Sequence, residues 1–228
     1  MTELEIIHET NNYIVVNKKA GRISEKSPYE SNTVEDQVFQ YLLKNIKKPY
    51  VGVVHRLDRV TSGVLIFAKK KSILAELNLL FSSRKVQKTY LAIVSSKPPK
   101  NKGTLINFLV KNNLEKKAEI VPTKTKNSQD CRLTYEVIGQ NKFGYLLKIN
   151  PTTGRFHQIR AQLSHLGLPI IGDKKYGSEQ EYFPLSIGLH ALKIAYKIQD
   201  SDELTVFEAK MPNNPFWKFE DIISTNKI

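Results

Sequence analysis

The chain has 228 residues, enough for one sizeable domain or two small ones, and its 40% apolar and 25% charged content is ordinary for a globular protein. Lysine and arginine total 35 against 22 acids, and a net charge of +13 points to a polyanionic partner as readily as to a merely lysine-rich composition. The lone cysteine, Cys131, excludes an internal disulfide; residues 1–9 lack a basic-then-apolar leader; and the longest purely apolar run, residues 64–68, is too short to span a bilayer, so the expectation is a cytoplasmic protein with no membrane partner.

Residues 4–7 and 13–16 read as the strands of a hairpin around Asn11-Asn12, a pair that tolerates the left-handed turn. Thr33 reads as a helix cap, followed by Val34, Val38, Tyr41, Leu42 and Ile46 at helical spacing until Pro49 stops the pattern. Residues 51–54 and 64–68 are candidate buried strands around the loop 55–63. A second helix fits residues 72–84, burying Ile73, Leu74, Leu77, Leu80 and Phe81.

Strands then dominate, at residues 88–94, 104–110, 132–138 and 145–149. A third helix fits residues 155–166, with Phe156, Ile159, Leu163 and Leu166 on one side, Gln158, Gln162 and His165 on the other, and Gly167 at its end. Two more strands fit residues 189–198 and 204–209. Few helices and no regular β-α alternation predict an α+β fold, one domain over residues 1–228, with a mainly antiparallel sheet and flanking helices. Residues 97–126 hold eight lysines against Glu115 and Glu119, which suits a solvated insertion and an arm that grips a polyanion equally.

None of His8, His55, His157, His165 and His190 stands at metal-ligand spacing with another histidine or with Cys131, and there is no phosphate-binding glycine motif. The expectation is therefore no metal and no cofactor. Four segments could carry chemistry. In residues 55–63, HRLDRVTSG, strand alternation would put Arg56 and Asp58 on one face, and cations beside a carboxylate favour its charged form. Such a carboxylate suits a nucleophile, though an isolated Arg-x-Asp is more often a plain ion pair at a sheet edge. In residues 152–160, TTGRFHQIR, Arg155 falls in the first turn of the predicted helix, where the macrodipole disfavours a cation, so it needs a carboxylate partner such as Asp58. Lys88-Thr89-Tyr90 opens a strand. Residues 169–177, PIIGDKKYG, form a turn that would let Lys174, Lys175 and backbone amides approach phosphates.

Taken in order, HRLDRVTSG, KTY, TGRFHQIR, PIIGDKKYG and the later Leu189-His190-Ala191 resemble the RluA-type pseudouridine synthases over nearly the whole chain. The resemblance implies a catalytic domain on a long, mainly antiparallel sheet with a central cleft, and a cofactor-free isomerisation in which uracil is detached, turned and rejoined through carbon. It also implies that RNA, ribosomal or transfer, is the partner, and that this chain, read as a monomer, starts without the small RNA-binding module many relatives carry. Asp58 matches the family's catalytic aspartate, Arg155 the arginine that pairs with it, and Tyr90 the active-site tyrosine. Arg56 matches an arginine near the target nucleotide, and His55, His157, Lys174 and Lys175 are assigned to substrate binding. Val60 and Phe156 depart from common family residues and bear on substrate choice.

Two other classes fit parts of this pattern. An RNA-binding module without catalysis would have no use for Asp58, Tyr90 and Arg155 together. An N-glycosidase would want a second carboxylate to activate water, for which Glu25, Glu30 and Asp173 are the available acids.

Overall fold

The computed structural model describes residues 4–197 and 203–219. In chain order the elements are β1 (Ile6–Glu9), β2 (Tyr13–Lys18), α1 (Val34–Leu43), β3 (Gly52–Val53), β4 (Ser62–Ala68), α2 (Lys71–Ser82), β5 (Gln87–Val94) and β6 (Lys102–Asn112). Then follow β7 (Lys117–Val121), β8 (Gln129–Asn141), β9 (Gly144–Pro151), α3 (Gln158–His165), β10 (Leu189–Lys197) and β11 (Leu204–Glu208). The fold is α+β with antiparallel strand pairing, as expected. Residues group into two compact units, Met1–Lys88 with Ala191–Met211, and Thr89–His190 with Pro212–Ile228. The chain passes from the first to the second within β5 and returns within β10.

In the first unit β4 lies between β2 and β10, with β1, β3 and β11 at the margins. All seven residues of β4 are buried, which is why its sequence shows a continuous apolar run instead of alternation. Val15, Val64, Ile66 and Ala68 pack with Leu77 and Leu80 of α2 and with Ile194, Tyr196 and Phe207. Thr33 caps α1 as predicted: its hydroxyl accepts the Asp36 N–H and the Asp36 carboxylate accepts the Thr33 N–H, both at 3.1 Å. Such a reciprocal cap stabilises a helix by about 1 kcal/mol. The helix ends at Leu43, before Ile46.

The β1–β2 turn forms where expected, by a different device. Neither Asn11 nor Asn12 has a positive φ; instead the Thr10 hydroxyl accepts the N–H groups of Asn12 and Tyr13, each at 3.1 Å.

The second unit is the ribbon β5-β9-β8-β6-β7 with α3 against it. β7 was missed because its sequence, KAEIV, holds only three apolar residues, and its pairing with β6 places much of the lysine-rich stretch on an ordered hairpin. α3 starts three residues later than predicted, which corrects the reading of Arg155: it sits in the loop before the helix, not in its first turn. His157, left-handed at φ 52°, separates loop from helix. Phe156 is 38% exposed rather than part of an apolar stripe, while the supposed polar stripe of Gln158 and Gln162 is buried. Residue 198, the end of the predicted strand 189–198, lies outside the described residues.

Candidate active site

Asp58 lies in the loop joining β3 to β4, and that loop is fastened through its main chain on both sides. The Leu57 N–H donates to Ser24 Oγ at 3.0 Å, and the Ser24 hydroxyl donates back to the Leu57 carbonyl at 2.9 Å. On the other side the Arg59 carbonyl accepts from the Gly21 N–H at 2.8 Å and from Lys18 Nζ at 3.1 Å. The Thr61 N–H closes the turn onto the Asp58 carbonyl at 3.0 Å. Leu57 is buried below the loop and Asp58 is half-buried above it. A carboxylate held this way loses little freedom when substrate arrives.

The flanking charges sort themselves by partner. Arg56 pairs with Glu25 and Arg59 with Glu30, all at the surface. The other acid considered for hydrolysis, Asp173, is 2% exposed and bound by Arg160 through two hydrogen bonds of 2.7 and 2.8 Å. All three carboxylates proposed for water activation are thus engaged by arginines. His55 faces inward. Its Nε2 accepts the Ile66 N–H at 3.2 Å, its ring stacks on Phe81 at 4.8 Å, and burial with the nearby Lys88 charge pushes its pKa down to about 3. The imidazole is therefore neutral and braces the loop against β4.

Gly63, the last residue of the HRLDRVTSG segment, has φ +120°, and a Cβ there would lie 2.1 Å from the Ala191 carbonyl oxygen. Both the conformation and the close approach of two backbones require glycine. Gly63→Ala should lower stability by more than about 2 kcal/mol, read as a fall in thermal midpoint. An unchanged midpoint would contradict this placement.

In the second unit the TGRFHQIR segment divides into residues that hold and residues that are held. Gln158 accepts the Thr153 hydroxyl at 2.7 Å and the Arg155 N–H at 3.1 Å, and its amide donates to the Arg132 carbonyl at 3.1 Å. It donates also to Gln162, which in turn reaches Asn107 on β6 at 2.7 Å. Buried amide chains of this kind fix one geometry because every broken bond leaves an unpaired polar group. Arg160 ties α3 to the 169–177 turn through Asp173 and lies against the Tyr176 ring at 4.9 Å. The Tyr176 hydroxyl accepts the Ala118 N–H at 2.7 Å and lies 2.9 Å from His157 Nδ1.

What this frame presents is the loop 152–157. Arg155 is half-buried, its Nε donating to the Asp130 carbonyl at 3.3 Å. His157 stacks on Phe156 with centroids 3.8 Å apart, and the Lys111 ammonium stands 5.2 Å over the Phe156 ring. Tyr90 is half-buried on β5 opposite Ile149, next to Thr89, whose hydroxyl donates to Asn150 at 3.0 Å. Lys174 and Lys175 are exposed. Lys174 pairs with Glu181 at 2.7 Å, and Lys175 reaches the carbonyls of Glu115 and Lys116 at 3.2 Å. Exposed contacts of this sort are worth little and exchange readily for phosphate.

Asp58, Arg56 and His55 therefore belong to the first unit, and Tyr90, Arg155, His157, Lys174 and Lys175 to the second. Burial pushes the Cys131 thiol up to about 11, which makes it a poor nucleophile. Among the described residues no three His, Cys, Asp or Glu side chains are grouped to hold a metal ion, and no helix is long and apolar enough to cross a membrane.

The sequence did not reveal Ser24 or Lys18 as parts of this site. Ser24 had no motif to mark it. Lys18 did carry a signal, since it continues the strand face of Ile14 and Val16, both fully buried, and a lysine on a buried face needs a reason.

The pattern that describes RNA pseudouridylate synthases matches residues 12–165, a stretch that contains Asp58, Tyr90 and Arg155. The chain belongs to the RNA pseudouridylate synthase family. This synthase is 34% identical over 91% of its length to a ribosomal large subunit pseudouridine synthase C of Rickettsia bellii, of which it covers 68%. It is 29% identical over 92% of its length to a tRNA pseudouridine synthase C of Vibrio parahaemolyticus, of which it covers 91%. The fold is shared with human RNA pseudouridylate synthase domain containing 4, with a TM-score of 0.76 at 24% identity over 92% of this chain and 89% of the human one.

Proposed function

We propose that this synthase converts selected uridines of folded ribosomal or transfer RNA to pseudouridine without a cofactor, and that Asp58 acts on the target nucleoside. The observation that carries this reading is the fastening of the Asp58 loop by Ser24, Gly21 and Lys18, which holds the Asp58 backbone in place. Relatives named for large-subunit RNA and for transfer RNA support the substrate class, and the +13 charge suits a polyanion.

A uridine inside a helix is out of reach, so the enzyme extrudes it, at a cost of a few kcal/mol offset by protein contacts. Attack at uracil C6, attack at ribose C1′ and proton abstraction at the sugar each call for an ionised carboxylate at the base–sugar junction. In our reading Arg155 supports that charge, Tyr90 offers a ring face to the uracil and a hydroxyl for late proton movement from C5, and Arg56, His157, Lys174 and Lys175 engage the RNA. The two units serve as one catalytic domain, working as a cytoplasmic monomer.

The test is to map pseudouridines in ribosomal and transfer RNA of a strain lacking the gene. One or a few discrete positions should revert to uridine and be restored by the wild-type gene but not by Asp58→Asn. An unchanged map in both RNA classes would refute the substrate assignment. Activity should also survive excess chelator when spermidine keeps the RNA folded. Loss of activity restored by one particular metal would show a metal requirement that this reading lacks.

A further inference from the structure

We infer that Glu25 and Glu30 are specificity-determining residues of this synthase. They occupy Arg56 and Arg59, the arginines on either side of Asp58, until phosphates of a matching RNA take their place. The inference rests on the proposed function above and adds to it two acids outside the recognised motifs.

Arg56 Nη1 donates to Glu25 Oε1 at 2.5 Å, and Arg59 Nη2 donates to Glu30 Oε2. Both carboxylates come from residues 25–30, so one short stretch neutralises both arginines of the HRLDR run. A carboxylate grips a guanidinium much as a phosphate does, through charged oxygens that accept its N–H groups. The acids therefore stand where the oxygens of a polyanion would go. The first pair leaves 66% of the arginine side chain and 45% of the glutamate side chain in solvent. Exposed pairs of this kind hold weakly and exchange readily.

The stretch that carries the acids is fixed at its base and lightly held beyond it. At the base the Val34 N–H donates to the Ile23 carbonyl at 3.0 Å and the Glu35 N–H to the Ser24 carbonyl at 3.1 Å. The Glu35 carboxylate accepts the Lys26 N–H at 2.8 Å. Between the two acids the turn is closed by longer bonds, from the Glu30 N–H to the Ser27 carbonyl at 3.4 Å and from the Tyr29 N–H to Ser27 Oγ at 3.2 Å. Tyr29 in this turn is 95% exposed, so little burial opposes a movement that withdraws the acids. A glutamine would accept the same arginine N–H groups without repelling RNA. Anchoring the turn therefore gives no reason for charge at these positions. A threshold against RNA that fits poorly does.

Poly(A) is the probe, because it holds no uridine and its binding is read without turnover. Glu25→Gln combined with Glu30→Gln should bind poly(A) about threefold to tenfold more tightly than wild type, the scale of two exposed ion pairs. Poly(A) should then inhibit pseudouridine formation at a correspondingly lower concentration. Glu76→Gln combined with Glu208→Gln removes the same charge from exposed positions elsewhere in the first unit. That control should change the affinity by less than about twofold at physiological salt, which screens distant charges. In a background of Arg56→Gln with Arg59→Gln the gain should vanish. A gain no larger than that of the control, a gain that persists without the arginines, or a weaker affinity would each overturn the inference. If the double variant does not fold, Glu25→Gln and Glu30→Gln are read singly against the same control, and no gain from either overturns it as well. A wild-type protein that forms no pseudouridine would defeat the functional reading itself, a result distinct from any change in poly(A) binding.

Discussion

Asp58→Asn is expected to abolish pseudouridine formation, with a fall of at least about 10⁴-fold, the scale seen when an essential nucleophile or base is removed. The expectation is this sharp because the substitution is local. The bonds that fix the loop run to the main chain of Leu57, Asp58 and Arg59 from Ser24, Thr61, Gly21 and Lys18. Exchanging a carboxylate for an amide of the same shape leaves these main-chain partners in place while removing the charge that favours the Lys18 ammonium. Thermal stability and RNA affinity should accordingly stay close to wild type, and the loss should appear in the single-turnover rate. Retention of more than about a hundredth of that rate would assign the chemistry elsewhere.

Arg155→Lys is expected to cost about 10²- to 10³-fold in turnover, the range for removing one preorganised charge-stabilising donor. The structure explains why the conservative change is not conservative. Gln158 holds the Arg155 main chain at 3.1 Å, and the Asp130 carbonyl takes its Nε–H at 3.3 Å, so the first bond fixes the backbone and the second orients the guanidinium. A lysine keeps the charge but has no second edge with which to hold that orientation. Arg155→Ala should do worse, with RNA binding little changed in either variant. If Arg155 serves the same step as Asp58, the double variant Asp58→Asn with Arg155→Lys should be scarcely slower than Asp58→Asn alone. Fully multiplicative losses would mean that the two act in separate steps.

The parts of the fold legible in the sequence were those with a strong local cause. Thr33 and the apolar spacing after it announced α1, the run from Val64 to Ala68 announced β4, and Gly167 marked the end of α3. β7 had no such cause, since its KAEIV segment becomes a strand through pairing with β6. The start of α3 was misplaced because helical periodicity sees Phe156 as one more apolar residue. It cannot see that Gln158 turns back to bind Thr153 and Arg155 and so winds the preceding residues into a loop.

The candidate site was legible as motifs, but the motifs mix two kinds of residue. Leu57, Gln158, Arg160 and Asp173 are buried and hold the frame, while Asp58, Arg155 and His157 are held by it. Spacing along the chain does not separate these kinds; burial and partners do. Ser24 and Lys18 act through backbone oxygen and nitrogen atoms of the Asp58 loop, and such contacts leave no complementary residue type to notice.

The central claim is that this chain isomerises uridine rather than cleaving it. Its most direct test is to incubate the protein with substrate RNA carrying tritium at C5 of uracil, and to measure both released tritium and free uracil. Isomerisation exchanges the C5 hydrogen for the new bond to ribose, so tritium should pass into water in proportion to pseudouridine formed, with no free uracil. Free uracil retaining its tritium would contradict the account and make the protein a glycosidase.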